Sequence, residues 1–177
     1  MIEFRDLTAD EIECRVQQVK DNGLVLLLYK DARCDMRILD ETVGAENWQR
    51  EHYECKGNLF CRVGINRYYA KPEGFDPHYL WKSDCGVESN TEAQKGEASD
   101  SFKRACFNWG IGRELYTAPF IWIKPDKCEI KQIGNTYKCY DKFTVEKIKI
   151  ENKQITALAI WNVTKNCRAF VWQKEEK

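Results

Sequence analysis

Most catalytic and metal-binding signatures need residues this chain hardly has. Its only histidines are His52 and His78, and no HExxH, GxSxG or Walker-type GK[ST] motif occurs in it. Net charge is zero, with 28 basic residues against 28 acidic, so bulk charge gives no general attraction to nucleic acid. No apolar run approaches the roughly 20 residues of a membrane-spanning helix. The acidic opening MIEFRDLTADEIE lacks the apolar stretch of a signal peptide, so a cytoplasmic location is expected. No internal repeat or low-complexity linker interrupts the pattern.

Cysteine is plentiful, but not as a framework. The nine cysteines are scattered singly, the count is odd and no CxxC occurs. Zinc sites show short paired spacings, and disulfide scaffolds show an even set. Reduced thiols acting as small apolar side chains are therefore expected, with no metal and no cofactor. At 177 residues, 43% apolar and 32% charged, the chain is long enough to bury a proper core as one folded domain.

The charge is unevenly spread. Residues 120–177 carry 12 Lys and Arg against 7 Asp and Glu, which leaves residues 1–119 acidic.

Periodicity predicts an N-terminal helix over Thr8–Val19, with Thr8 and Glu11 as a capping box and Ile12, Val16 and Val19 at helical spacing. Leu24–Tyr29 is a wholly apolar strand. A second helix runs from about Asp31 to Thr42 and stops at Gly44, placing Arg33 and Arg37 one turn apart. Arg50–Cys55 and Leu59–Ile65 flank Lys56-Gly57-Asn58 as a hairpin, and Leu80–Val87 resumes the sheet. Ser89 and Glu92 then cap a long helix over 91–109. From Cys128 onward five short strand-like runs read as antiparallel β. The expected class is α+β, divided into a core over 1–123 and a C-terminal β extension over 124–177.

The long helix carries the densest signal, in EASDSFKRACFNWGIGRELY. Ala98, Phe102, Ala105 and Trp109 form its apolar stripe, and Lys103 and Arg104 sit off it. Asp100 lies three and four residues before that pair and can hold either cation in register. Gly96 suggests close approach of another backbone. Lys and Arg projecting from a helix fixed to a sheet can follow a sugar-phosphate backbone without reading bases. Arg33 or Arg37 can line the same groove. Among the aromatics Tyr68, Tyr69, Trp81, Tyr116, Phe120 and Trp122 offer stacking surface, whereas Trp109 belongs to the stripe and reads as packing.

Taken in order, YKDARCDMRILDETVGAENW, WKSDCGVESN and EASDSFKRACFNWGIGRELY resemble the phage and prophage branch of the Rad-fifty-two-like single-strand annealing proteins, over roughly residues 24–123. The resemblance implies a β-β-β-α core with one long helix crossing a three-stranded sheet. It also implies a homo-oligomeric ring or filament that holds single-stranded DNA in a basic groove and anneals complementary strands. No ATP is needed and no covalent step occurs. By the same resemblance Lys103 and Arg104 match positions lining the inner DNA site, and Arg33 or Arg37 the groove arginine. Phe107 stands where the eukaryotic branch carries a further basic residue. A phage exonuclease or a single-strand-binding protein would be the fitting partner.

Two rival readings remain from the residues. One is a metal-dependent nuclease built on His78, Asp76 and Asp84. The other is a structural oligomer whose basic helix edge is a subunit contact and binds no DNA.

Overall fold

The computed structural model describes residues 2–70, 77–87 and 93–175, so the cap at Ser89 and Glu92 and the acid Asp76 lie outside the described residues. In chain order the strands are β1 (Ile12–Lys20), β2 (Gly23–Lys30), β3 (Trp48–Cys55), β4 (Asn58–Asn66), β5 (Tyr79–Cys85), β6 (Ile121–Ile123), β7 (Lys131–Ile133), β8 (Thr136–Lys138), β9 (Phe143–Glu151), β10 (Gln154–Asn162) and β11 (Cys167–Gln173). The helices are α1 (Ala32–Val43) and α2 (Ala93–Trp109). The fold is mixed α/β, and the pairings among described residues are antiparallel.

The chain divides into two compact units. One comprises Met1–Arg5 with Asp31–Gly112, the other Asp6–Lys30 with Arg113–Lys177. The first hairpin thus belongs with the C-terminal strands, because β1 pairs with β9 and β2 with β6.

In the first unit β3, β4 and β5 form a three-stranded sheet with β4 central. Lys56 and Gly57 both take positive φ, 54° and 75°, the paired left-handed conformation that tight hairpins favour. Cys61, Val63 and Ile65 alternate along β4 and are buried, so one sheet face is a core face. Helix α1 begins where Asp31 accepts from the Arg33 N–H at 2.7 Å and stops at Gly44, whose φ is 87°. Its Cys34, Ile38, Leu39 and Val43 are buried, and Trp48 Nε1 donates to Asp40 at 2.6 Å, tying the helix to β3.

In the second unit the sheet order is β11-β10-β9-β1-β2-β6, and its end strands β11 and β6 also approach each other. The sheet curls around Leu24, Leu26, Ile121, Ile123, Ile155, Leu158 and Ile160, all buried. Beside the β7–β8 hairpin, buried Asn162 donates to Lys127 O at 2.9 Å and to Asp141 at 2.7 Å, and Asp141 also accepts from the Glu129 N–H. Each buried polar group in that cluster is thereby satisfied.

The N-terminal helix expected over Thr8–Val19 is instead one short 3-10 turn, Ala9–Glu11, followed by β1. Glu11 does accept from the Thr8 N–H at 3.0 Å, but the cap serves that single turn. The misleading period has a cause. The pairing with β2 shifts between Val16 and Gln18, a bulge that leaves Gln17 as an extra residue. Ile12, Cys14 and Val16 alternate as a strand should, and the bulge returns Val19 to their face. The resulting spacing of four then three imitates a helix.

Cys34, Cys61, Cys106 and Cys128 are buried, and no disulfide links any of the nine cysteines. Burial pushes the half-buried Cys14 thiol up to about 12 and those of Cys61 and Cys128 up to about 11. With a neutral alkylating reagent at mildly alkaline pH, exposed Cys55 should be modified quickly and these three slowly, as peptide mapping would read. The raised thiols also stay protonated in the native state after unfolded thiols begin to ionise near 9.0, so stability should fall as pH rises from there to about 11.

Candidate nucleic-acid interface

Helix α2 is fixed to the sheet by its apolar stripe and by polar ties at both ends. Phe102 and Ala105 are fully buried, and Phe102 stacks on Trp48 of β3 with ring centroids 6.1 Å apart. Trp109 Nε1 donates to Val63 O at 2.9 Å, so the last turn is anchored over β4. Near the start, His52 Nε2 lies 3.1 Å from Ala98 O, and Glu97 accepts from the Leu59 N–H at 2.9 Å.

Gly86 makes a close backbone approach to α2. A Cβ there would lie 2.2 Å from Glu97 O and 3.0 Å from Ser101 N, so the chain leaving β5 runs against the helix itself. Asp100 takes part in the same junction, accepting from the Val87 N–H at 3.2 Å. The role expected for it was to hold Lys103 and Arg104. The contact described places it at the exit of β5.

Asp84 is an acidic partner of Arg104. The Arg104 Nε donates to Asp84 of β5 at 3.3 Å, in an ion pair still partly open to solvent. Asn108, one turn on, donates to Ser83 O at 3.0 Å and to the other Asp84 oxygen at 3.2 Å. Lys82 then donates to Asn108 O at 2.9 Å with its ammonium 4.7 Å from the centre of the Trp109 ring. The rim between α2 and β5 is therefore a polar ladder of Arg104, Asp84, Asn108 and Lys82. Neighbouring helix positions differ by about 100°, so with Arg104 turned to β5 Lys103 falls on the opposite flank. The two cations straddle the outward side of the helix.

Arg33 and Arg37 are both exposed on α1, which packs against α2 and β3. Arg33 pairs with Asp31 of its own helix start at 3.5 Å. All four cations of the expected groove thus sit on the two helices of one unit, and Arg104 pairs with the sheet at Asp84.

The chain matches no family model, no curated protein and no solved structure.

Lys82 and Asn108 are the residues that the sequence reading missed. The signal for Lys82 was present in LWKSDC, where alternation puts Leu80, Lys82 and Asp84 on one face. Placing that face toward α2 needed the register of β5 on β4, in which Lys82 stands opposite Val63. Of the nuclease candidates, Asp84 is occupied by Arg104, Asn108 and the Cys85 N–H, and His78 is exposed. Among the described residues no group of three or more His, Cys, Asp or Glu is placed to hold a metal ion. Tyr116 and Phe120 are strongly exposed aromatics of the second unit, with Phe120 stacked on Trp122 at 6.5 Å.

Proposed function

We propose that this protein binds single-stranded DNA as a homo-oligomer and anneals complementary strands without ATP. In this reading β3, β4, β5 and α2 are the β-β-β-α core of a Rad-fifty-two-like annealing protein. Lys103 and Arg104 hold phosphates across the outward side of α2, Lys82 extends the basic rim along β5, and Arg33 or Arg37 completes the groove.

One observation carries the reading: α2 presents its cations from a helix locked to the sheet at both ends. Annealing requires a strand held by its backbone with pairing edges open, and rigidly placed cations do that without base contacts. Two or three cations per subunit suffice when an oligomer repeats them, so a chain of zero net charge can bind strongly.

The test is a fluorescence-anisotropy titration of labelled oligothymidylate at rising salt, with an annealing assay on complementary strands lacking ATP. Tight binding at low salt, a steep loss as salt rises and accelerated pairing are expected. A monomer with no affinity for the oligonucleotide at low salt removes the proposal. The Arg104–Asp84 pair favours one alternative, in which the basic rim is purely structural. That alternative predicts oligomers that ignore DNA.

A further inference from the structure

The sheet face turned away from α2 carries a second arrangement. Since Cys61, Val63 and Ile65 are the buried face of β4, Phe60, Arg62 and Gly64 point the other way. The register sets Tyr53 opposite Phe60, Glu51 opposite Arg62 and Trp81 opposite Gly64, with Tyr79 at the end of β5. These groups interlock. Tyr53 stacks on Phe60 at 5.6 Å, Tyr79 lies 6.0 Å from Trp81, and the Arg62 guanidinium sits 4.5 Å from the centre of the Trp81 ring.

Gly64 explains how the indole lies. A Cβ there would be 2.8 Å from Trp81 Cε3 and 2.9 Å from both Cδ2 and Cη2, so three ring atoms are nearly equidistant and the ring lies flat over the glycine. Trp81 nevertheless remains 37% exposed. Arg62 is neutralised in place by Glu51, at 2.9 Å and 2.6 Å from its Nε and Nη2. The middle of this face is thus a guanidinium plane of no net charge, laid over the indole and flanked by aromatic rings. Exposed cations stand beyond each end of β4, Lys56 in the turn before it and Arg67 just after it.

The geometry points to a base-stacking platform for single-stranded nucleic acid on this face, centred on Trp81 and Arg62. Positive, neutral and positive along β4 complements phosphate, base and phosphate along a strand. The two ring clusters stand four residues apart on β4, about 13 Å, and aromatics carried on a sheet can stack two or three bases of a strand. Stacking uses the flat faces of bases and leaves their Watson–Crick edges open, so the platform suits annealing. The ligand class rests on the function proposed above; the site itself does not use α2.

The experiment compares two probes on the full chain: oligothymidylate, and an abasic oligonucleotide of the same length and charge. Trp81→Ala should weaken binding of oligothymidylate about ten-fold and leave the abasic strand unaffected. Trp81→Phe should restore most of the loss on oligothymidylate, and a folding defect would show instead as equal loss on the abasic strand. Equal loss on both probes, or none on either, overturns the platform. So does a change in oligomer size by light scattering, because the face would then be a contact between copies. If the unaltered protein binds neither probe, the annealing function fails first, and the outcomes are distinguishable.

Discussion

Replacing Lys103 and Arg104 together by alanine is expected to lower affinity for oligothymidylate about 100-fold at low salt, because a repeated assembly multiplies the loss of two phosphate contacts per subunit. The plot of log affinity against log salt should become shallower by about 1.4 per binding unit, at about 0.7 for each contact with a single strand. The two cations should not contribute equally. Removing Arg104 also leaves the Asp84 carboxylate facing the groove without the guanidinium now 3.3 Å away, which adds repulsion to the lost attraction. Arg104→Ala should therefore be the more severe single change. Adding Asp84→Asn to it should recover the repulsive part but not the phosphate contact. Unchanged binding by the double variant would remove α2 from the interface and leave the sheet face as the remaining candidate.

Gly86→Ala is the substitution expected to damage the fold most for its size. A methyl group there meets the Glu97 carbonyl at 2.2 Å, and backbone on both sides cannot swing away as a side-chain end can. Strand β5 must lift from α2, which strains the Val87–Asp100 and Leu59–Glu97 hydrogen bonds together. Overpacking of this kind costs about 3 kcal/mol. A thermal midpoint lowered by about 10 °C is the readout. DNA affinity should fall with it, since the platform and the basic rim share β5. A midpoint within a degree or so of the parent would mean that the junction yields more readily than backbone contact allows.

Much of the architecture was legible because local signals agreed with the fold. The turn at Lys56-Gly57, the stop at Gly44, the end of α2 and the strands after Cys128 all follow from turn chemistry and period, and the structure has them within a few residues. The failures have physical causes. A single bulged residue in β1 turned a strand period into a helical one. No local pattern reveals that β1 seeks β9 far along the chain. At the site, the cations on α2 could be named from spacing alone. Their partners could not, since Asp84 and Lys82 reach α2 only through the register of β5. The aromatic face was concealed for the same reason: Tyr53, Phe60 and Trp81 look unrelated in sequence and become neighbours only once β3, β4 and β5 pair.

The placing of β1 and β2 also has a consequence during synthesis. Their hairpin is made well before its later partners, and Glu13 must await Thr144 before its sheet can be completed. Residues 31–112 have all their own partners long before then. The apolar run Leu24–Leu26 thus keeps an open edge until β6 is made and β1 keeps its own until β9, so a product truncated before β6 would carry both edges permanently.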